Sequence, residues 1–159
     1  METMIDAIIH NSYKRNQKPI DWIAQADDAA AFIGPNADYY INVFKRMDEM
    51  GTQKSWNWAA FFAGDAWVGY RKTGRHSATA KPILNYGQPL RPFLFGKYGN
   101  WVYKQKVEEE LAAAARLDPE ARRERLVQRG GVSKTPIIIV LSIALFTVLA
   151  LFYRDILKL

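Results

Sequence analysis

The chain has 159 residues, room for one domain of ordinary size or a domain with an appendage, and 22 Lys and Arg against 16 Asp and Glu leave a net charge of +6. The absence of cysteine excludes a disulfide framework, a thiolate metal site and a thiol nucleophile, and the two histidines, His10 and His76, are too few and too far apart for an imidazole metal site. Hydrophobic residues at 49% are too many for a disordered chain.

In chain order the pattern is a succession of helices. Residues 3–11 suit a short helix with Met4, Ile5, Ile8 and Ile9 on one side. From Pro19 to Ile33 the residues Trp22, Ile23, Ala26, Ala30 and Ile33 recur at helical spacing, and Gly34-Pro35 stops the segment. Asn36 is placed to cap a third helix whose Tyr40, Val43, Phe44 and Met47 form an i, i+3, i+4, i+7 stripe, ended by Gly51. Strand alternation is missing throughout, so the expected fold class is all-α, a small helical domain with one C-terminal transmembrane helix.

Residues 55–72, SWNWAAFFAGDAWVGYRK, predict a fourth helix with Ser55 as its cap. Trp56, Ala59, Ala60, Ala63, Trp67 and Tyr70 share one face, while Trp58, Phe61, Phe62 and Val68 cover the other. A helix apolar all round belongs in a protein core or against lipid; this one is too short to span, so it is a core helix of the domain or a membrane-surface element. Asn57 can bond to backbone near the cap, and the one interior acid, Asp65, is expected to pair with a nearby Arg or Lys or to point to solvent.

Between Asp65 and Glu108 there is no acid, whereas Arg71, Lys72, Arg75, Lys81, Arg91, Lys97, Lys104 and Lys106 are interleaved with Trp67, Tyr70, Tyr86, Phe93, Phe95, Tyr98, Trp101 and Tyr103. Such mixtures suit an anionic leaflet, where cations meet headgroups and rings sit among them, or single-stranded nucleic acid, where rings stack on bases. A chain tethered to a bilayer has headgroups permanently in reach. Anionic lipid headgroups or an acidic partner subunit are therefore the preferred partners, and nucleic acid the unlikely one. The expected partner or lipid contacts are Trp56, Trp58, Trp67, Tyr70, Arg71, Lys72, Arg75, Lys81, Arg91, Phe93, Phe95, Lys97 and Trp101. Residues 73–99 hold Pro82, Pro89, Pro92, Gly74, Gly87, Gly96 and Gly99 and predict an irregular loop that docks on something.

Helix resumes at Asn100 in this pattern, with Glu108, Glu109 and Glu110 expected on a solvated face. Asp118-Pro119-Glu120 starts an Arg-rich helix that runs to Gly130-Gly131, the joint between domain and anchor. From Pro136 to Tyr153 the sequence PIIIVLSIALFTVLALFY carries no charge; as a helix it is ~27 Å long, close to the ~30 Å hydrocarbon core of a bilayer. Thr135 can cap it, and Pro136 suits its first turn. Its place in the chain is wrong for a secretory leader. Arg116, Arg122, Arg123, Arg125, Arg129 and Lys134 precede the span, and only Arg154 and Lys158 follow it. The positive-inside tendency then puts residues 1–134 in the cytoplasm and the end of the chain across the membrane. The expected organisation is N-terminal helices over 1–35, an aromatic and basic helical domain over 36–134 with the loop at 73–99, a transmembrane helix over 135–153 and a short tail over 154–159.

SWNWAAFF with WVGYRK close behind, after a Tyr-rich helix ending in glycine, and later GNWVY (Gly99 to Tyr103) and GGVS (Gly130 to Ser133), resemble the bacterial domain of unknown function (DUF) family numbered 2628. The resemblance covers roughly residues 36–140 in two blocks. Members of that family usually carry hydrophobic spans between the blocks, where residues 73–98 here are basic and proline-rich, and commonly have proline where Asp65 stands. The resemblance implies a bacterial membrane location and supplies no catalytic residues.

There is no GxxxxGK[ST] loop, no GxGxxG, no HExxH and no GxSxG, so no catalytic, cofactor or metal residues are assigned. The sequence therefore points to a non-enzymatic, single-pass protein of the bacterial inner membrane, an accessory or assembly subunit of a larger membrane complex. The alternatives are a membrane-perturbing or lipid-binding, holin-like protein, and a membrane tether for nucleic acid.

Overall fold

Seven helices and no strand are found among the described residues of the computed structural model, which are residue 7, residues 20–73 and residues 90–156. The expected helix over residues 3–11 lies outside them but for Ala7, and so do Arg75, His76 and Lys81.

The first helix, α1 (Ala26–Ile33), is shorter than the Pro19–Ile33 pattern. The Asp21 carboxylate accepts from the amides of Ile23 and Ala24, which bends residues 22–25 into turns before the helix begins. Trp22 is buried and Ile23 exposed, so the apolar spacing there is not a helix face. In α2 (Ala37–Glu49) the buried residues are Tyr40, Phe44 and Met47, as the stripe requires, with Val43 half-buried beside them. Asn36 adopts a left-handed conformation (φ 67°) and makes no capping hydrogen bond, contrary to expectation.

The aromatic segment is two helices, α3 (Trp58–Ala63) and α4 (Asp65–Tyr70). Gly64, at φ 49° and ψ −119°, breaks the path where most residues would be strained. The cap of α3 is Asn57 rather than Ser55: its side chain accepts from the Ala60 amide at 2.8 Å.

The largest correction concerns residues 90–99. They are the start of a 25-residue helix, α5 (Leu90–Ala114), and not part of a loop that ends at Asn100. Pro92 falls in the first turn, where a missing amide proton costs nothing, and Gly96 and Gly99 are where α3 approaches too closely for side chains. Residues 74–89 of the expected loop lie outside the described residues.

The domain is organised around α5, against which α1, α2, α3 and α6 (Pro119–Arg129) all pack. Phe95, Tyr98, Trp101, Val102, Tyr103, Val107, Leu111 and Ala114 of α5 are buried, and Phe32, Ile33, Phe44 and Leu126 close over them. Asp118 caps α6 by accepting from the Ala121 amide at 3.0 Å, with Pro119 at the first position, as the sequence signals.

The last helix, α7 (Thr135–Ile156), stands apart from this core. Its stretch Thr135–Arg154 is long and apolar enough to cross a membrane, and none of it is buried inside the protein. Thr147 satisfies its hydroxyl on the Ile143 carbonyl one turn back (2.8 Å), as a hydroxyl in an apolar helix must.

Candidate membrane-facing site

Two features stand out: the joint that holds the root of α7 and a patch of exposed rings. At the joint α7 packs on α4. The Pro136 ring lies where a side chain on Gly69 would stand, and the Ser133 amide donates to the Tyr70 carbonyl at 2.8 Å. Lys72, itself left-handed at φ 52°, donates from Nζ to the Gly130 carbonyl at 2.6 Å, and the Gly131 amide donates to the Phe32 carbonyl at 2.6 Å. Gly130-Gly131 is therefore a close-packed contact between α1, α4 and the chain entering α7. A Cβ at Gly130 would collide with the Phe32 carbonyl, so glycine serves proximity here rather than looseness.

The patch is built by α3 and the start of α5. The amides of Ser55 and Asn57 donate to the carbonyls of Lys97 (3.0 Å) and Gly96 (2.7 Å), and Asn57 Nδ2 donates to Asn100 Oδ1 at 2.7 Å. Asn100 in turn donates to Ser55 Oγ at 3.0 Å. With α3 latched in this way, Ala60 is buried on α5 and the opposite side of the helix carries rings outward. Trp58 is 62% exposed, Phe62 77%, Trp56 42% and, from α5, Phe93 57%. Phe61 lies among them, its ring centroid 5.4 Å from Trp56, 4.9 Å from Phe62 and 5.2 Å from Phe93, and Trp58 stacks on Phe62 at 5.8 Å. Such a contiguous exposed aromatic surface marks an interaction site. Phe61 and Phe62 were absent from the expected contacts; Phe62 stands one helical turn after Trp58, and that i, i+4 spacing was the available signal.

Four of the expected contacts belong to the interior. Trp67, Phe95 and Trp101 are buried core residues, and Arg71 is 3% exposed. The Arg71 guanidinium lies 4.3 Å from the Tyr40 ring centroid and 5.3 Å from that of Tyr103, and donates to the Pro35 carbonyl at 3.2 Å. Burial pushes the Tyr103 phenol up to about 12, against the opposing pull of the Arg71 charge. Tyr70 is half-buried over Arg71, whereas Lys72 is exposed at the joint.

The basic stretch is accordingly not one surface. Arg91 pairs with Asp65 at 3.0 Å, the kind of partner expected for that acid. Lys104, buried, lies 2.9 Å from Asp48 and 2.5 Å from Glu108. Burial would lower its pKa, but the charges and hydrogen bonds of Glu108 and Asp48 outweigh it and hold the ammonium above its ordinary value. Lys106 pairs with Glu110 at 2.6 Å, and Lys97 lies half-buried, 5.3 Å from the Tyr98 ring centroid.

The expectation of a solvated Glu108–Glu110 face is also corrected. Glu109 is exposed, but Glu108 and Glu110 are buried, because positions 108 and 110 turn toward α2 and α6 while 109 turns away. Glu110 collects Lys106, Arg125 (3.5 Å) and Arg129 (2.9 Å). Burial alone would raise its pKa, but the hydrogen bonds and charges of Lys106 and Arg129 bring it below the ordinary value. Among the described residues no group of His, Cys, Asp and Glu is arranged to hold a metal ion.

No family model matches the chain, and no curated protein and no solved structure matches it.

Proposed function

We propose that the protein is a non-enzymatic, membrane-anchored accessory subunit that assembles with a larger membrane complex of the bacterial inner membrane, its helical domain on the cytoplasmic side. The observation that carries this reading is the combination of an apolar helix with none of its span covered and a domain clamped to the root of that helix. An uncovered apolar helix of this length needs lipid or the helices of other subunits around it. A mere tether would be served by a loose linker, whereas a clamped root fixes how the domain is presented to whatever the span assembles with. The cations of α6 and Lys134 before the span, against Arg154 and Lys158 after it, favour the cytoplasmic side for the domain.

The test is affinity capture of the tagged full chain from membranes dissolved in a mild detergent. Recovery of one defined complex at a fixed ratio is the expected result. A chain that comes back only as copies of itself and leaks ions on overexpression is holin-like, and one that stays dispersed and monomeric in buffer without detergent is no membrane protein; either result overturns the proposal.

A further inference from the structure

We infer that Trp56, Trp58, Phe62 and Phe93 form a second foothold on the bilayer, seated at headgroup level in the leaflet from which α7 enters, so that the domain lies against the membrane and does not stand away from it. The inference rests on the anchoring by α7 proposed above and adds to it a surface, an occupant and an orientation.

Two observations select lipid as the occupant. The first is continuity with the span. α4 grips the first turn of α7 at Pro136, which places α4 at the membrane surface, and α3 follows after the single residue Gly64. Each of these six-residue helices is ~9 Å long, so the backbone of α3 lies within roughly 20 Å of the Gly69 contact with Pro136. The second is the chemistry of the patch. Two indoles and two phenyl rings are exposed by 42–77%, the side chains that accumulate at membrane–water boundaries, the indoles keeping an N–H toward the wet side. A partner protein or a second copy of the chain is the competing occupant, and the place of α3 next to α4, the helix that grips the span, favours lipid over either.

The experiment uses the full chain reconstituted alone into vesicles of phosphatidylcholine and phosphatidylglycerol carrying bromine on the acyl chains near the headgroup. Flotation first establishes that the chain is in the vesicles. Tryptophan emission is then compared between the protein and its Trp58→Phe variant. Trp22, Trp67 and Trp101 are buried and give a constant background. The expected result is that removing Trp58 cuts the bromolipid-quenched emission by about half, and that Phe62→Ser with Phe93→Ser raises quenching by aqueous acrylamide about twofold as the foothold loosens. The Phe62→Ser pair alters exposed residues only, so the acrylamide measurement stands even if Trp58→Phe folds poorly. Trp58 emission untouched by bromolipid overturns the inference, whether acrylamide reaches it, as for a bare patch, or fails to, as for a patch covered by another copy. No other protein is present, so failure to find a partner complex leaves this result standing, whereas a chain that does not float refutes the anchoring and the foothold together.

Discussion

Glu110 sits almost closed off from water with three cations around it, and its folded state holds the carboxylate more strongly than the unfolded chain does. A pKa lowered on folding contributes stability that is fully present above the unfolded value of about 4.5 and is lost as pH falls through the folded value. The melting temperature of the domain in micelles should therefore drop as pH is taken below about 4.5. In Glu110→Gln the protein should start less stable at neutral pH, because Lys106 and Arg129 lose their counter-charge, and should show a flatter acid limb. A variant melting curve with an unchanged acid limb would show that other carboxylates set it. Lys104 acts in the opposite sense: its raised pKa keeps it charged through neutral pH, with stability lost only as pH climbs through that raised value.

At the scale of elements, the decisive contact is the seam between α3 and α5. An added Cβ on Gly99 would lie 2.8 Å from the Ala60 Cβ, and one on Gly96 would lie 3.1 Å from the Phe61 Cβ. Neither neighbour is the far end of a flexible chain, so a branched side chain must push the helices apart. Gly99→Val is expected to destabilise the domain by about 2 kcal/mol, in the range of overpacked cores, and to shift tryptophan emission to longer wavelength as the Trp67 environment opens. Thermal melting followed by emission would check both. The same seam explains why glycines that read as loop in the sequence are helical. Gly96 and Gly99 lower helix propensity and so signal a break, but the close approach of α3 requires them, and packing overrides propensity. The stripe of α2 and the cap of α6 were legible because local rules decide them; the seam depends on residues about 40 positions apart in the chain, a separation that no local pattern encodes.

For the whole molecule, the question is how the domain is set on α7. Pro136 against Gly69, Tyr70 to Ser133 and Lys72 to Gly130 make the root of the helix part of the domain. An added Cβ on Gly69 would come within 2.8 Å of the Pro136 ring, so Gly69→Leu should lever α7 off α4 without touching the core around α5. The expected outcome is a several-fold faster tryptic cut after Lys134 in the reconstituted protein, with the melting of the domain nearly unchanged. An unchanged cutting rate would mean that the root is held elsewhere.

Sequence alone determined the helical class, an apolar helix over residues 135–153, which the structure extends to Ile156, and the absence of the common nucleotide, metal and nucleophile motifs. Those follow from composition and from periodicities that span a few residues, while the structure decided that the apolar run is uncovered and is not a core helix. Only the tertiary structure decided which cations and rings face outward. Arg71 and Trp67 lie in the same aromatic-basic stretch as Trp58 and Phe93, yet the first pair is buried and the second exposed. Side-chain type states what a residue can contact, and packing states what it does contact. Arg71 is enclosed because Tyr40 and Tyr103, distant in sequence, bring their rings to it, and Trp58 is left bare because Ala60, on the other side of the same short helix, is the residue that meets α5.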